Sequence, residues 1–200
     1  MWSGDPRRHG VPPTTAQVQS RLGRCNESSR DTLLPWSAAY LMYHCTMLTL
    51  TGDFGDLVLD PTLANAHTRF ALANGFCGNL AEAILILSPE RPIFFVTYEL
   101  EDVEALQAVS DSDDPEAFHS HVTHVLVASS KGMLLDSYGV SSAETLEKFY
   151  GGRLLEGTRA MLHKHYVTDS FTQDCDAYKV LAQSAFELEA LGMEFNRNGG

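Results

Sequence analysis

Nucleophilic thiol chemistry needs a cysteine, a histidine and a carboxylate or amide, and this chain carries them in that order. Cys77 stands in the stretch Asn74-Gly75-Phe76-Cys77-Gly78-Asn79-Leu80-Ala81-Glu82-Ala83-Ile84-Leu85-Ile86-Leu87, between two glycines at the head of an almost wholly apolar helix. A helix amino end presents unpaired N–H groups and a positive partial charge, which together favour a thiolate. His124 opens the strand-like run His124-Val125-Leu126-Val127-Ala128, and Asp136 closes Met133-Leu134-Leu135-Asp136 after a Ser130-Lys131-Gly132 turn. In such a set the imidazole keeps the thiolate ionised and later protonates the leaving group, while the carboxylate orients the ring. Asn74 is the nearest side-chain amide and is a candidate oxyanion donor beside the backbone N–H of Cys77. Each residue also has an inert reading: Cys77 as a small buried hydrophobe, His124 as a satisfied strand histidine, Asp136 as a turn residue. Only their joint order separates the two.

Two further constellations contain chemistry-bearing residues. His119-Ser120-His121-Val122-Thr123-His124 offers three imidazoles at a spacing reminiscent of metallo-β-lactamase-like hydrolases. Thr123 stands where that motif carries a metal-binding aspartate and no glycine pair follows, so a polar strand end is the favoured reading and no metal is expected. His163-Lys164-His165 is isolated. Gly151-Gly152 lacks the lysine and helix start of a phosphate loop, so no nucleotide cofactor is implied.

The elements that must position these residues are legible in outline. Leu33 to Leu50 is dense in apolar residues and reads as a buried helix. Thr51 to Asp56 is turn chemistry and Leu57 to Leu59 a brief extended piece. Asp60-Pro61 marks the start of a helix that stops at Gly75, delivering Cys77 onto the next one. Ile93 to Tyr98 reads as a buried strand, and Glu101 to Val109 as a short helix. His119 to Ala128 and Met133 to Tyr138 form a hairpin. Ser141-Ser142-Ala143-Glu144 caps a helix ending at Gly151. Strands are expected near Leu154-Leu155 and over Leu162 to Val167, and a last helix runs from Asp174 or Asp176 to Phe195 with a continuous apolar face.

With the helix-borne Gly75-Phe76-Cys77-Gly78, the strand His124-Val125-Leu126-Val127 and the segment Leu134-Leu135-Asp136-Ser137-Tyr138-Gly139 on the page, the order resembles the papain-like superfamily. Its branches include transglutaminase-like proteins, arylamine N-acetyltransferases and small phage or bacterial proteins of the cysteine-protease fold. The resemblance covers roughly residues 75–139 and is one of motif order. It implies an α+β fold in which a central cysteine-bearing helix packs on a small antiparallel sheet, with other helices around it. Cys77 is then the nucleophile, His124 the base and acid, and Asp136 the orienting group. Papain-type peptidases usually carry an oxyanion glutamine six residues before the cysteine; here Ala71 occupies that position.

Length and charge bound the rest. Two hundred residues suffice for one domain, expected over residues 31–195, with a flexible arm over 1–30 and a disordered tail over 196–200. A net charge of −12 argues against a phosphate-tracking nucleic-acid binder. Acid is concentrated between Arg91 and Lys131, where no Lys or Arg occurs. That run reads as a solvated face or as a docking surface. Cys25, Cys45, Cys77 and Cys175 are irregularly spaced and form neither a zinc nor a disulfide framework. No apolar leader follows Met1 and the longest apolar run is too short for a bilayer, so a cytosolic protein, of its own cell or of a host, is expected. Two functions from different classes follow. The first is a cysteine-dependent hydrolase or acyltransferase, a peptidase, deamidase or transferase acting on a protein or peptide-like amide or thioester and needing no cofactor. The second is a non-enzymatic acidic binding protein, of the phage or effector type, occupying a basic surface of a host protein.

Overall fold

The computed structural model describes residues 47–52, 55–166 and 175–194. The expectations for residues 1–30, 33–46 and 196–200 lie outside them. In chain order the described elements are β1 (Leu48–Gly52), β2 (Gly55–Leu59), α1 (Ala66–Ala73), α2 (Cys77–Leu87), β3 (Ile93–Thr97), α3 (Val103–Asp111), α4 (Pro115–His121), β4 (Val122–Ala128), β5 (Leu134–Asp136), β6 (Gly139–Ser141), α5 (Ala143–Tyr150), β7 (Arg153–Gly157), α6 (Arg159–His165) and α7 (Cys175–Leu191). The architecture is α+β. Strands β1 and β2 pair as a separate hairpin, and a five-stranded antiparallel sheet runs in the order β6-β5-β4-β3-β7.

Alternation along the strands divides the interior into two layers, as a period of two requires. Ile93, Phe95, Val125, Val127, Leu135 and Leu155 pack into the main core with α2 and the face of α7 that carries Ala177, Tyr178, Leu181, Ala182, Ala185 and Leu188. Their strand neighbours Val96, Leu126 and Leu134 point the other way, into a smaller core closed by Leu146 of α5 with Phe94, Tyr150 and Leu154. Helix α2 is the centre of the main core. Every residue from Cys77 to Leu85 is buried.

Two polar side chains of α2 are buried with their partners. Asn79 donates through Nδ2 to the Tyr178 hydroxyl on α7 at 2.7 Å. The Glu82 carboxylate receives both Arg159, through Nη2 and through Nε at 3.1 Å, and His163 Nε2 at 2.8 Å. Arg159 and His163 stand four apart on α6, so one helical face clamps one carboxylate. Another buried acid, Glu189 of α7, binds Arg91 at 2.9 Å and the Ser130 hydroxyl at 2.8 Å. Burial pushes the Glu189 carboxyl up, but the Ser130 donors and the Arg91 charge outweigh it and hold it below the usual range.

Several expectations meet a competing local signal. The helix expected through Leu50 gives way to strand at Leu48, where Leu48 and Leu50 bury one face and pair with Leu59 and Leu57. Asp60-Pro61 does not start α1. Its Asp60 Oδ1 accepts from Thr62 N at 3.2 Å in a turn, and Asn65 caps the helix five residues on, accepting from His67 N at 2.9 Å. His119 and His121 lie on a helix because Asp114 caps it, accepting from Glu116 N at 3.0 Å, and Pro115 opens its first turn. The strand expected over Leu162 to Val167 is helix through His165, begun by Thr158, whose Oγ1 accepts from Met161 N at 3.2 Å. Strand β6 had no separate signal; it follows the two-residue turn Ser137-Tyr138 and opens on Gly139, which holds φ 105° with no room for a Cβ beside the Met193 carbonyl.

Among the described residues no single helix is long and apolar enough to cross a membrane. The Glu82 clamp supplies a stability test. Arg159→Ala leaves a fully buried carboxylate with His163 alone, and a loss of about 3 kcal/mol is expected, the low end for breaking a buried pair because 34% of the Arg159 side chain is accessible. A lower urea midpoint with an unchanged slope would register it.

Candidate active site

Three of the four sequence-selected residues converge. Cys77 is the first residue of α2, His124 the third of β4 and Asp136 the last of β5. His124 Nε2 lies 3.5 Å from Asp136 Oδ2, and both side chains are 1% exposed. Cys77 is buried, at 3% exposure, and its charge acts directly on the His124 ring. Asn74 is not part of the group. It is exposed at the end of α1, and its Nδ2 donates to the Phe70 carbonyl at 2.8 Å, so its donor closes the helix that precedes the thiol.

Local sequence explains the convergence. Helix α2 begins at Phe76, which offers no side-chain cap, and has no acidic residue in its first turn. By contrast α1, α3, α4, α5 and α6 each start on a capping side chain, from Asn65, Asp102, Asp114, Ser142 and Thr158. The positive end of α2 is thus left to Cys77. Gly78 is required at the next position, because a Cβ there would overlap the Tyr166 side chain. Tyr166, pressed on this first turn, donates its hydroxyl to the Val122 carbonyl at 3.2 Å and so ties α2 to the start of β4. Burial, and then the Cys77 charge, push the Tyr166 phenol up.

On the sheet, His124 belongs to the face that meets α5, with Leu126 and Leu134, whereas Cys77 comes from the layer on the other side. Strand β5 pairs with only Val127 and Ala128, so the half of β4 that bears His124 has no β5 backbone beside it. A register shift between Val96 and Thr97, with Thr123 as the additional residue on β4, further re-aims the chain next to His124. The two layers therefore meet through side chains at this point. Asp136 is itself fixed: Oδ1 accepts from Tyr138 N at 2.8 Å, and Oδ2 from the Tyr150 hydroxyl at 3.3 Å. Tyr150 also stacks on His124, with ring centroids 4.5 Å apart and planes 22° from parallel.

The electrostatics of His124 are set by opposed effects. Burial alone pulls an imidazole down, since the charged form loses its water. The Cys77 charge and the Asp136 carboxylate act the other way and win, raising His124 to about 9. Neither ring nitrogen has a partner in hydrogen-bond geometry. Among the raising effects the Cys77 charge is the largest, and the polar contacts of Asp136 and of Cys77 with the ring come next, ahead of the Asp136 charge. With Nε2 turned to Asp136, Nδ1 is the nitrogen left for the thiol side.

The other histidines of the His119–His124 and His163–His165 stretches diverge from His124. His119 packs edge-on to Phe118, His121 Nδ1 lies 3.2 Å from the Tyr98 carbonyl, and His165 stacks flat on Phe118 at 3.8 Å. Burial, with smaller contributions from Lys164 and His119, outweighs the Ser110 carbonyl and lowers His165. Among the described residues no group of three or more His, Cys, Asp or Glu is arranged to hold a metal ion. Sequence reasoning did not find Tyr150 or Tyr166. Nothing local marks either one; each acts through a partner at least fourteen residues away.

A raised histidine makes stability depend on pH with a definite sign. The contribution of His124 is complete below its unfolded value of 6.5 and is lost as pH rises through about 9. Cys77→Ala removes one source of the elevation and leaves the opposing burial, so His124 is expected to titrate at lower pH, by NMR of the ring protons, with a weaker fall in thermal stability between pH 6.5 and 9. Asp136→Asn is expected to shift it in the same direction. An unchanged titration in both variants would remove the charge coupling described above. Comparison of the chain with protein-family models, with curated proteins and with solved structures gives no match.

Proposed function

We propose that the protein is a cysteine-dependent hydrolase or acyltransferase acting on an amide or thioester, with a core of the papain-like or transglutaminase-like kind. The observation that carries the reading is a buried imidazole placed between a helix-terminal thiol and a buried carboxylate, and raised by both. In this reading the Cys77 sulfur attacks the carbonyl carbon while imidazolium at His124 stands ready to protonate the departing amine or thiolate. Asp136 holds the ring through Nε2. The backbone N–H of Cys77, at the start of a helix with no side-chain cap, would stabilise the negative charge that develops on the carbonyl oxygen, a role the exposed Asn74 side chain does not fill. Transfer of the acyl group to water or to a second nucleophile then regenerates the thiol.

The burial of Cys77 imposes a condition on this chemistry. A substrate carbonyl reaches the sulfur only by displacing what covers the first turn of α2, and Tyr166 is packed there. A protein substrate would have to present a narrow extended segment or a side-chain amide.

The same burial favours a second reading, a non-enzymatic protein that docks on a basic partner through its acidic face. Glu99, Glu101, Asp102, Glu104, Asp111, Asp113, Asp114 and Glu116 are all exposed. Asp102 and Asp114 cap α3 and α4, which gives those two a structural role as well. A cytosolic location, in its own cell or in a host, suits either reading.

Two measurements separate them. Timed labelling with iodoacetamide followed by peptide mapping is expected to modify Cys77 ahead of Cys25, Cys45 and Cys175. His124→Ala is expected to slow that labelling at neutral pH by roughly 10²-fold or more, the usual scale of a lost general base. Uniform slow labelling, unaffected at His124, would refute the cysteine reading. The docking reading is tested by Asp111→Lys with Asp113→Lys: retained binding to a basic partner surface would end it.

A further inference from the structure

Tyr150 touches both the imidazole and its carboxylate. Its ring lies over His124 at 4.5 Å with a 22° tilt, and its hydroxyl donates at 3.3 Å to Asp136 Oδ2, the same oxygen that faces His124 Nε2. The residue is held from several sides. It ends α5, where Gly151 turns the chain in the left-handed region and donates its N–H to the Glu147 carbonyl at 2.8 Å. Tyr98 donates its hydroxyl to the Tyr150 carbonyl, Phe149 meets its ring edge-on at 4.9 Å, and the ring packs against the smaller core.

We propose that Tyr150 is a positioning residue for His124, its ring setting the plane of the imidazole and its hydroxyl dividing Asp136 Oδ2 between itself and Nε2. This deepens the cysteine-dependent reading and rests on it. The hydroxyl has a cost and a use. By donating to Oδ2 it withdraws part of the charge that would otherwise stabilise imidazolium, so His124 holds its proton less tightly than Asp136 alone would make it. The ring acts oppositely, because an aromatic face favours a cation stacked on it. Around the imidazole, α2 contributes Cys77, β5 contributes Asp136 and α5 contributes Tyr150, while the β3 residue paired with it, Val96, carries no charge. The phenol thereby trims a proton affinity that Cys77 and Asp136 drive upward, which keeps His124 able to release as well as to hold its proton.

The test is a titration of the His124 ring protons by NMR in the full chain, in Tyr150→Phe and Tyr150→Leu. Tyr150→Phe keeps the stack and the volume and removes only the hydroxyl. His124 should then titrate about half a unit higher, roughly a threefold tighter proton. Tyr150→Leu removes the aromatic face as well and should titrate below Tyr150→Phe. A packing role would lower thermal stability in both variants and leave the titration where it was, and that outcome overturns the proposal, as does a downward shift in Tyr150→Phe. If Tyr150→Leu fails to fold, the sign in Tyr150→Phe decides alone. Repeating Tyr150→Phe on a Cys77→Ala background separates the two claims. The shift should persist there because it runs through Asp136. If it persists while Cys77 labels no faster than the other cysteines, Tyr150 stands and the cysteine reading falls. If Cys77 labels fast and the shift is absent, the reverse holds.

Discussion

The structure depends on the burial of a helix that has no polar side. From Cys77 to Leu85 nothing on α2 faces water, so the sheet, α7 and α6 must cover it, and the chain is arranged accordingly. An apolar helix in a close-packed core could slide by a turn at modest cost if only oily contacts held it. Glu82 prevents that. A carboxylate at 0% exposure is tolerable only where Arg159 and His163 meet it, and a shift of one turn, about 5.4 Å, would strand it. Asn79 against the Tyr178 hydroxyl makes the same demand on the side facing α7. These two polar contacts fix the axial position of α2, and hence of its first residue. The placement of Cys77 is therefore set by groups several residues further along.

The candidate site exists because the two layers of the protein communicate at one place. A strand pair normally keeps its faces apart, and His124 and Cys77 belong to opposite faces. The short β5 and the irregular register beside His124 let them interact. In that low-dielectric setting every charge must be answered, since an ion left alone would neutralise. The His124 ring has Asp136 beside Nε2, feels Cys77 from α2 and carries the Tyr150 ring stacked on it, while the Asp136 carboxylate accepts from a backbone N–H and a phenol. The 3.5 Å separation of His124 Nε2 from Asp136 Oδ2 is compatible with this, because charge acts over distances at which hydrogen bonds weaken.

The sequence was most legible where one signal was strong and uncontested. Eight consecutive residues from Leu80 to Leu87 with a single charge announce the central helix, and Ile93 to Thr97 could hardly be other than a buried strand. The acidic run was visible too, though not that two of its members serve as caps. Short elements were lost where pattern and punctuation disagreed. Leu162 to Val167 is ambiguous in pattern, yet Thr158 caps a helix there, and that helix brings Arg159 and His163 to Glu82, some eighty residues away in the chain. Asp60-Pro61 and Asn65 are both plausible starts for α1, and only packing chooses between them. Asn74 was selected by closeness in sequence to the thiol, but its side chain turns back to its own helix, as an amide at a C-terminus readily does. Tyr150 was invisible for the converse reason, since its importance comes entirely from which strand lies beneath α5.

Under the proposed reading, burial also bears on which thiol reaction is favoured. Hydrolysis and transfer share the attack of Cys77 and differ in what resolves the acyl-enzyme. Bulk water competes at molar concentration wherever it can enter, and a second nucleophile prevails only where a site excludes water and holds the acceptor in place. With His124 at 1% exposure and Cys77 at 3%, the reacting atoms sit on the dry side of that division. Opening wide enough to admit a donor would also admit water, unless the donor fills the opening as it enters. A narrow acyl group that displaces the cover over Cys77 without leaving a gap satisfies both demands. Within the proposed reading, such burial suits transfer to an acceptor that follows the same narrow path better than hydrolysis of a broad protein surface.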